Sequence, residues 1–300
     1  MSASAGPVGT GPEDRHEMRD GRLSAAVLAR GAELCSLRHA EAELLWDAGP
    51  AWPRHSPVLF PIVGRLREDT LRRAGRAYRL TQHGFARDRG FSWLERGPAK
   101  CRLALEDDEA SRAAFPFPFR LELDYRLEAG RLRIGYRVVN TGTMILPAAL
   151  GAHPAFRWPL SPAVAPEAHR LIFAQDEPDP VRRLRGGLLL AEPEPTPVRG
   201  RELSLSRALF AADALVLDRV RSRSLRYVAP GAAGLEIGWD GFPQLGLWSR
   251  DGGEFLCIEP WYGTADPVGF EGDFLEKPGL RLIPPGEAWT SEWWVRPEPA

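Results

Sequence analysis

The chain has 300 residues, of which 44% are hydrophobic and 26% are charged, the ordinary composition of a soluble globular protein. Its formal net charge of −1 provides no overall positive field, so we expect neither nucleic acid nor an anionic membrane surface as a partner. No run of about 18 apolar residues occurs, so the sequence contains no candidate membrane span.

The first residues are rich in glycine, proline and charge and precede any hydrophobic alternation. We predict that residues 1–21 form a disordered tail, which includes His16, and that residues 22–300 form a single domain. The tail lacks the apolar centre of a secretory signal. The three cysteines are far apart and include no CxxC pair: Cys35, Cys101 and Cys257. Both observations favour a cytoplasmic location with free thiols.

Beyond the tail the hydrophobic pattern has a period of two. Leucine and tyrosine alternate with charged residues in LELDYRLE (121–128), and the alternation resumes after a turn as RLRIGYRVV (131–139). This pattern predicts an antiparallel hairpin with one buried face. Further strands are predicted in LSAAVLAR, AELCSLRH and AELLWD, and at 101–106, 171–173, 214–218, 224–228, 234–239, 244–249, 255–258 and 289–295. Short helices are predicted only near 109–114 and 205–212, so the fold class is all-β, a large sandwich or barrel.

Four segments place one polar side chain between apolar residues and a proline or glycine. They are SPVLFPIVGRL (56–66), QHGFARD (82–88), GAHPAF (151–156) and CIEPWYGTADP (257–267). In a β protein such a residue lies at the end of a strand or at a corner of a concave sheet face. If the polar residues of these segments converge among their aromatic neighbours, they form a small-molecule pocket.

Taken singly, each polar residue also has an ordinary structural explanation. A histidine before a proline is more often a hydrogen-bonded structural ring than an acid, and a lone arginine often pairs with a carboxylate. Glu259 is the strongest single candidate, because an unpaired carboxylate between FLCI and Pro-Trp is costly to bury. The sequence has no HExxH, GxSxG, GxGxxG or P-loop motif, so we expect no metal ion and no cofactor.

In this order and spacing the four segments, with AADALVL (211–217) between the last two, resemble the aldose 1-epimerase (galactose mutarotase-like) family. The resemblance extends from about residue 22 to residue 295. It implies a large antiparallel β-sandwich, the galactose mutarotase-like supersandwich, with few short helices and a concave sugar-binding face. It also implies an isomerase that interconverts the α and β anomers of a free aldohexose without a cofactor.

The resemblance further assigns site residues. It makes Glu259 the base that removes the C1 hydroxyl proton, and His153 the acid that protonates the ring oxygen. The residues expected to bind substrate are His83, Arg65, Asp213, Trp261 and Phe156. Asp213 is the loosest match, since three other aspartates lie nearby in comparable contexts: Asp218, Asp240 and Asp266. Arg87 is a further candidate for substrate binding, although we expect it to brace the HGFAR loop.

Other functions stay open at this point. A hexose-6-phosphate 1-epimerase would need extra basic residues at the pocket, for which Arg65 and Arg67 are candidates. A non-catalytic carbohydrate-binding protein would be expected to lack Glu259 or His153, yet both are present. A glycoside hydrolase needs two carboxylates, and the histidine pair argues against it. The proline-rich segment 178–197 is predicted to be a surface excursion that shapes specificity, while the sequence sets neither the preferred sugar nor the oligomeric state.

Overall fold

The computed structural model describes residues 14–299, in which strands dominate. The strands are β1 (Arg15–Asp20), β2 (Leu23–Leu28), β3 (Leu34–His39), β4 (Ala42–Glu43), β5 (Val58–Leu59), β6 (Thr70–Arg73), β7 (Arg76–Arg79), β8 (Ser92–Arg96), β9 (Lys100–Glu106), β10 (Phe119–Glu128), β11 (Arg131–Asn140), β12 (Leu146–Ala148), β13 (Leu150–Ala152), β14 (Ala155–Arg157), β15 (Arg170–Phe173), β16 (Leu184–Arg185), β17 (Leu188–Leu189), β18 (Glu202–Ser204), β19 (Leu215–Leu217), β20 (Ser224–Val228), β21 (Leu235–Asp240), β22 (Gln244–Trp248), β23 (Phe255–Tyr262), β24 (Arg281–Ile283) and β25 (Ala288–Pro297).

Helices in the described range are short, as predicted. One α-helix, α1 (Glu109–Arg112), is accompanied by 3-10 turns at Arg67–Asp69, Ala86–Asp88, Pro166–Ala168, Arg207–Phe210 and Phe274–Glu276. None of these helices is long and apolar enough to cross a membrane.

Antiparallel pairing organises the strands into sheets. A nine-stranded sheet has the order β18-β15-β20-β21-β25-β11-β10-β9-β8, and a second sheet has the order β19-β22-β23-β13-β5 with β14 also paired to β23. A four-stranded sheet, β1-β2-β3-β4, and the two-stranded ribbons β6-β7, β12-β24 and β16-β17 complete the pairing. The predicted all-β, antiparallel fold is therefore confirmed.

The predicted central hairpin is confirmed as β10 and β11, which pair from Phe119↔Asn140 to Glu128↔Arg131. Its apolar residues point to one face, where Leu123 and Leu127 are buried in the main hydrophobic core. The same core contains side chains of the second sheet, such as Leu247. Burial of the apolar face of each sheet against the other layers thus holds the fold together.

The expected disordered tail is wrong over residues 15–20. This segment is strand β1, which pairs with β2 along its whole length, from Arg15↔Leu28 to Asp20↔Leu23. Met18 is buried in the core, and His16 Nε2 donates a 2.8 Å hydrogen bond to the Gly97 carbonyl. A single apolar residue in RHEMRD is too weak a pattern to predict a strand, and residues 1–13 lie outside the described range.

Candidate active site

Strand β23 positions the central residue of the site. Its side chains alternate between two faces, so that Leu256 and Ile258 point into the main core. Cys257, Glu259 and Trp261 occupy the other face, and all three are buried. Glu259 therefore projects from the middle of a well-packed strand, where its backbone is fixed by pairing with Gly246 of β22.

A cavity of about 220 Å³ lies on that face of β23. The four segments singled out in the sequence all contribute to it, because their strands and turns meet on this face of the second sheet. The lining residues are Trp52, Gly64, Gln82, His83, Arg87, His153, Leu184, Gly187, Leu189, Asp213, Ala214, Val216, Trp248, Arg250, Glu259, Trp261, Thr264 and Ala265. Of the seven predicted site residues, five line it: Glu259, His153, His83, Asp213 and Trp261.

A break in strand pairing brings His153 to Glu259. β13 pairs with β23 at Gly151↔Trp261, and β14 resumes the pairing at Ala155↔Cys257. His153 and Pro154 occupy the interruption between these two short strands. The imidazole consequently lies against the carboxylate, with His153 Nε2 3.2 Å from Glu259 Oε2.

Aromatic side chains fix the orientation of this pair. The Trp52 ring stacks on His153 with centroids 4.9 Å apart, and the Trp248 ring meets it edge-on at 5.8 Å. On the other side, Trp261 Nε1 donates a 3.2 Å hydrogen bond to Glu259 Oε2. His153 Nδ1 is buried and has no hydrogen-bond partner within residues 14–299.

Burial controls the charge of both groups. It raises the pKa of the Glu259 carboxyl well above its usual value, an effect that the Trp261 hydrogen bond partly offsets and the charge of Asp213 increases. Burial also lowers the pKa of the His153 imidazole, and the positive charge of Arg87 lowers it further. Since each group is disfavoured in its charged form, burial favours the pair as a neutral carboxylic acid beside a neutral imidazole.

His83 is held in place by an unusual backbone conformation. His83 and Gly84 both have positive φ, at 66° and 71°, and a side chain at Gly84 would lie only 2.3 Å from the Phe60 carbonyl oxygen. Gly64 N donates a 3.2 Å hydrogen bond to His83 Nδ1. Because Nδ1 accepts, the proton of the neutral ring is on Nε2. It points to the Gln82 side-chain amide 3.3 Å away, whose oxygen must face the ring to accept it.

Arg87 braces its loop, as expected, and also lines the cavity. Its Nη2 donates a 2.7 Å hydrogen bond to the Gln82 carbonyl, while its buried Nε has no hydrogen-bond acceptor among the described residues. Burial and the charge of Arg54 lower the pKa of Arg87 to about 10. The side chain thus keeps a donor close to the cavity, where the sequence left substrate binding by Arg87 open.

The structure does not bring Arg65 or Phe156 into the cavity lining, contrary to expectation. The Arg65 guanidinium instead binds Asp69, with Nε donating to Oδ1 at 2.8 Å and Nη2 to Oδ2 at 3.2 Å. Phe156 is completely buried in the main core. It pairs with Leu256 across the sheet and therefore points to the core face, opposite to Glu259.

Among the candidate aspartates, Asp213 is the one that lines the cavity. Its backbone φ is 71°, and its Oδ1 accepts a 2.8 Å hydrogen bond from Ala214 N, which leaves Oδ2 without a partner in the described range. This side chain is held at the rim of the cavity by its own backbone turn.

The other three aspartates lie outside the cavity lining. Asp218 forms an ion pair with Arg182 at 3.3 Å. Asp240 lies in a shallow groove on the nine-stranded sheet. Asp266 is buried against Lys277, at 3.1 Å between Oδ1 and Nζ.

The proline-rich excursion contributes one wall of the cavity. The ribbon β16-β17 turns at Gly186 and Gly187, and Leu184, Gly187 and Leu189 face the cavity. Leu189 N donates a 2.9 Å hydrogen bond to the Asp266 carbonyl, which fixes the ribbon to the segment after β23. The Gly-Gly dipeptide between Arg185 and Leu188 favours such a turn, a signal that the sequence predictions did not use.

Sequence reasoning missed several other lining residues. Trp52 and Trp248 flank His153, and Arg250 lies at the rim. These residues come from a loop and from the end of an ordinary strand, with no neighbouring pattern that marks them.

Comparison with known proteins identifies the family. Residues 14–280 match the aldose 1-epimerase family, and the chain belongs to it. Protein LacX (chromosomal) of Lactococcus lactis subsp. lactis is 31% identical over 283 residues, which cover 90% of this chain and 94% of LacX. The solved structure of a galactose mutarotase related enzyme from Lactobacillus acidophilus is 28% identical with a TM-score of 0.88, covering 95% of this chain and 97% of that one. The solved structure of a galactose mutarotase-like protein from Lactobacillus casei is 26% identical with a TM-score of 0.88. The match covers 95% of this chain and 100% of that one.

Proposed function

We propose that this protein is an aldose 1-epimerase, an isomerase that interconverts the α and β anomers of a free aldohexose. The observation that carries the proposal is the contact between His153 Nε2 and Glu259 Oε2, 3.2 Å apart at the buried end of a cavity. An acid and a base that share a proton are what reversible ring opening requires. The free thiols of the described chain support the expected cytoplasmic location.

In the opening step, the Glu259 carboxylate removes the proton from the C1 hydroxyl. The C1–O5 bond breaks as a C1 carbonyl forms, and protonated His153 delivers its proton to O5. One proton enters the pair and one leaves, so the pair begins as carboxylate and imidazolium and ends as two neutral groups. Because burial disfavours both charged forms, the charged pair forms at an electrostatic cost, by transfer of the Glu259 proton to His153. The opening step then returns the pair to its favoured neutral state.

In the closing step, the same transfers run in reverse on the other face of the carbonyl. The C1 carbonyl rotates about the C1–C2 bond, and O5 attacks its opposite face. His153 takes the O5 proton as Glu259 returns a proton to the C1 oxygen. The chain is restored to its starting protonation state, and the anomer is inverted.

Three other lining groups suit the binding of sugar hydroxyls. His83 presents an Nε2 proton, Arg87 a guanidinium donor and Asp213 a carboxylate acceptor. The indole ring of Trp248 provides a flat apolar face on which a sugar ring packs. We assign these four residues to substrate binding.

Polarimetry tests the proposal. Freshly dissolved α-glucose and α-galactose are followed in a dilute buffer, since buffer acids and bases also catalyse the reaction. We expect a first-order decay whose rate constant rises in proportion to protein concentration and returns to the buffer rate after heat denaturation. A decay at the buffer rate with every aldose examined would contradict the proposal.

A substitution beside Trp261 tests the support of the base. The Trp261 ring covers Gly246, where a Cβ would lie 2.4 Å from the indole. Gly246→Ala must therefore displace the indole and weaken its hydrogen bond to Glu259. We expect kcat/KM for mutarotation to fall by about tenfold, the cost of one hydrogen bond to a charged group. Gly135→Ala is the matched control, because a Cβ there meets nothing closer than 3.9 Å. Equal kcat/KM in both variants would show that the hydrogen bond from Trp261 to Glu259 does not contribute to catalysis.

A phosphorylated aldose is the second candidate substrate, favoured by Arg250. This residue is exposed at the cavity rim, and its guanidinium makes no ion pair or hydrogen bond within residues 14–299. An unpaired guanidinium at the rim suits a phosphate group on the far side of the sugar from C1.

Values of kcat/KM for glucose and for glucose 6-phosphate, measured in the wild type and in Arg250→Gln, distinguish the two candidate substrates. If Arg250 recognises the phosphate, Arg250→Gln should lower kcat/KM for glucose 6-phosphate by about tenfold or more, the cost of losing a hydrogen bond to a charged group. The kcat/KM for glucose should not change. Arg281→Gln, at an exposed arginine of β24 outside the cavity lining, serves as the control. An equal effect of Arg250→Gln on both sugars would exclude phosphate recognition at this position.

A further inference from the structure

Cys257 lies beside the proposed catalytic pair and has no part in ring opening. One donor atom each from His153, Cys257 and Glu259 lies within 4.8 Å of the others. Three atoms with this spacing share a central point that is within about 2.8 Å of each, whereas bonds from zinc to nitrogen, oxygen or sulfur are about 2.0–2.3 Å. Side-chain shifts of roughly 0.5–0.8 Å would close the gap. We propose that these three residues form a binding site for a soft divalent metal ion such as Zn²⁺.

The fold preorganises the three donors. Cys257 and Glu259 are two residues apart on β23 and point to the same face. His153 faces them from the break between β13 and β14, with its ring held by Trp52. The 3.2 Å between His153 Nε2 and Glu259 Oε2 matches the edge of a tetrahedron around an ion with bonds of about 2 Å.

The donor set selects the kind of ion. Sulfur and imidazole nitrogen suit Zn²⁺ or Co²⁺, whereas Mg²⁺ and Ca²⁺ require more oxygen ligands than the site offers. Binding displaces the thiol proton of Cys257 and any proton on Glu259 into solvent. The fourth tetrahedral position faces the cavity, since His153 and Glu259 both line it.

Such an ion would act as an inhibitor. It occupies the carboxylate oxygen and the imidazole nitrogen that the proposed ring opening uses for proton transfer. The inhibition therefore rests on the proposed function, whereas metal binding itself does not. A readout that is independent of activity separates the two.

Cobalt titration of the full chain provides that readout. In the wild type we expect an absorption band from thiolate-to-cobalt charge transfer, with saturation at one ion per chain. The band is expected to disappear in Cys257→Ala and in Cys257→Ser, the second of which preserves the side-chain volume. It is expected to persist in Cys101→Ala, a matched change at a buried cysteine of β9. Absence of the band in the wild type, or its persistence in both Cys257 variants, would overturn the proposal.

Zinc inhibition supplies the second measurement. If the protein is active, Zn²⁺ should inhibit mutarotation and a chelator should restore the rate. The inhibition constant should rise by at least about tenfold in Cys257→Ser, each variant being compared with its own metal-free rate. An unchanged inhibition constant would place inhibitory zinc elsewhere. A cobalt band in a protein without mutarotase activity would support the metal site and reject only the proposed function.

Discussion

Glu259→Gln is expected to reduce kcat/KM for mutarotation by about 10²–10⁴-fold, the usual contribution of a positioned acid or base. The amide has the shape of the carboxylate and its oxygen can still accept the hydrogen bond from Trp261 Nε1. It cannot take a proton from the C1 hydroxyl. Because burial already disfavours the Glu259 charge, the neutral amide should leave the melting temperature unchanged or higher. Polarimetry and thermal unfolding measure the two effects separately.

The control for this variant is a buried glutamate outside the cavity. Glu177 accepts hydrogen bonds from Arg221 N and Ser222 N and is 2% exposed. Glu177→Gln should lower stability while the folded protein keeps its activity. Wild-type kcat/KM in Glu259→Gln would show that Glu259 is not the base.

His153→Asn is expected to cause a loss of similar size, about 10²–10⁴-fold in kcat/KM. Asparagine can form a hydrogen bond to Glu259 but does not carry a proton to the ring oxygen. The variant also loses the stacking of the imidazole on Trp52. Initial rates with α-glucose and α-galactose, at protein concentrations matched by absorbance, measure the loss.

Two comparisons make the His153 result specific. His169 is another buried histidine, which accepts a 3.0 Å hydrogen bond from Leu160 N and lies outside the cavity lining. His169→Asn should retain activity in its folded form. The double variant Glu259→Gln/His153→Asn should be little worse than either single variant, because groups that act as a unit have non-additive effects. Multiplicative losses would mean that the two residues act independently.

The fold was predictable because its main signal is local. Alternation in LELDYRLE and RLRIGYRVV determines which face of the hairpin is buried, and β10 and β11 have the expected register. Strand β1 was missed because RHEMRD contains one buried residue, Met18, and charged residues at most other positions. Its pairing with β2 depends on backbone hydrogen bonds, which leave little trace in a hydrophobic pattern.

The site was predictable in part. His83, His153 and Glu259 were marked by adjacent glycine or proline, and these turns bring them to one cavity. The resemblance to the family also placed Arg65 and Phe156 there, but the face on which a side chain lies depends on strand register. Phe156 follows Leu256 into the core, and Arg65 binds Asp69 four residues away.

The cavity walls could not be predicted from local pattern. Trp52 and Trp248 reach His153 from segments separated by almost two hundred residues, and only tertiary packing makes them neighbours. The three aspartates beside Asp213 in sequence were indistinguishable until their partners were known. Long-range contacts of this kind leave no periodic signature in the chain.

Exchange between anomers at equilibrium is a direct measure of catalysis by Glu259. Magnetisation transfer between the anomeric protons of the α and β forms of glucose or galactose reports the exchange rate. It requires neither a freshly dissolved pure anomer nor a coupled-enzyme assay. The account predicts that wild-type protein increases this rate in proportion to its concentration, while Glu259→Gln leaves it close to the buffer rate. Equal rates with wild type and Glu259→Gln, whether both fast or both at the buffer value, would contradict the account.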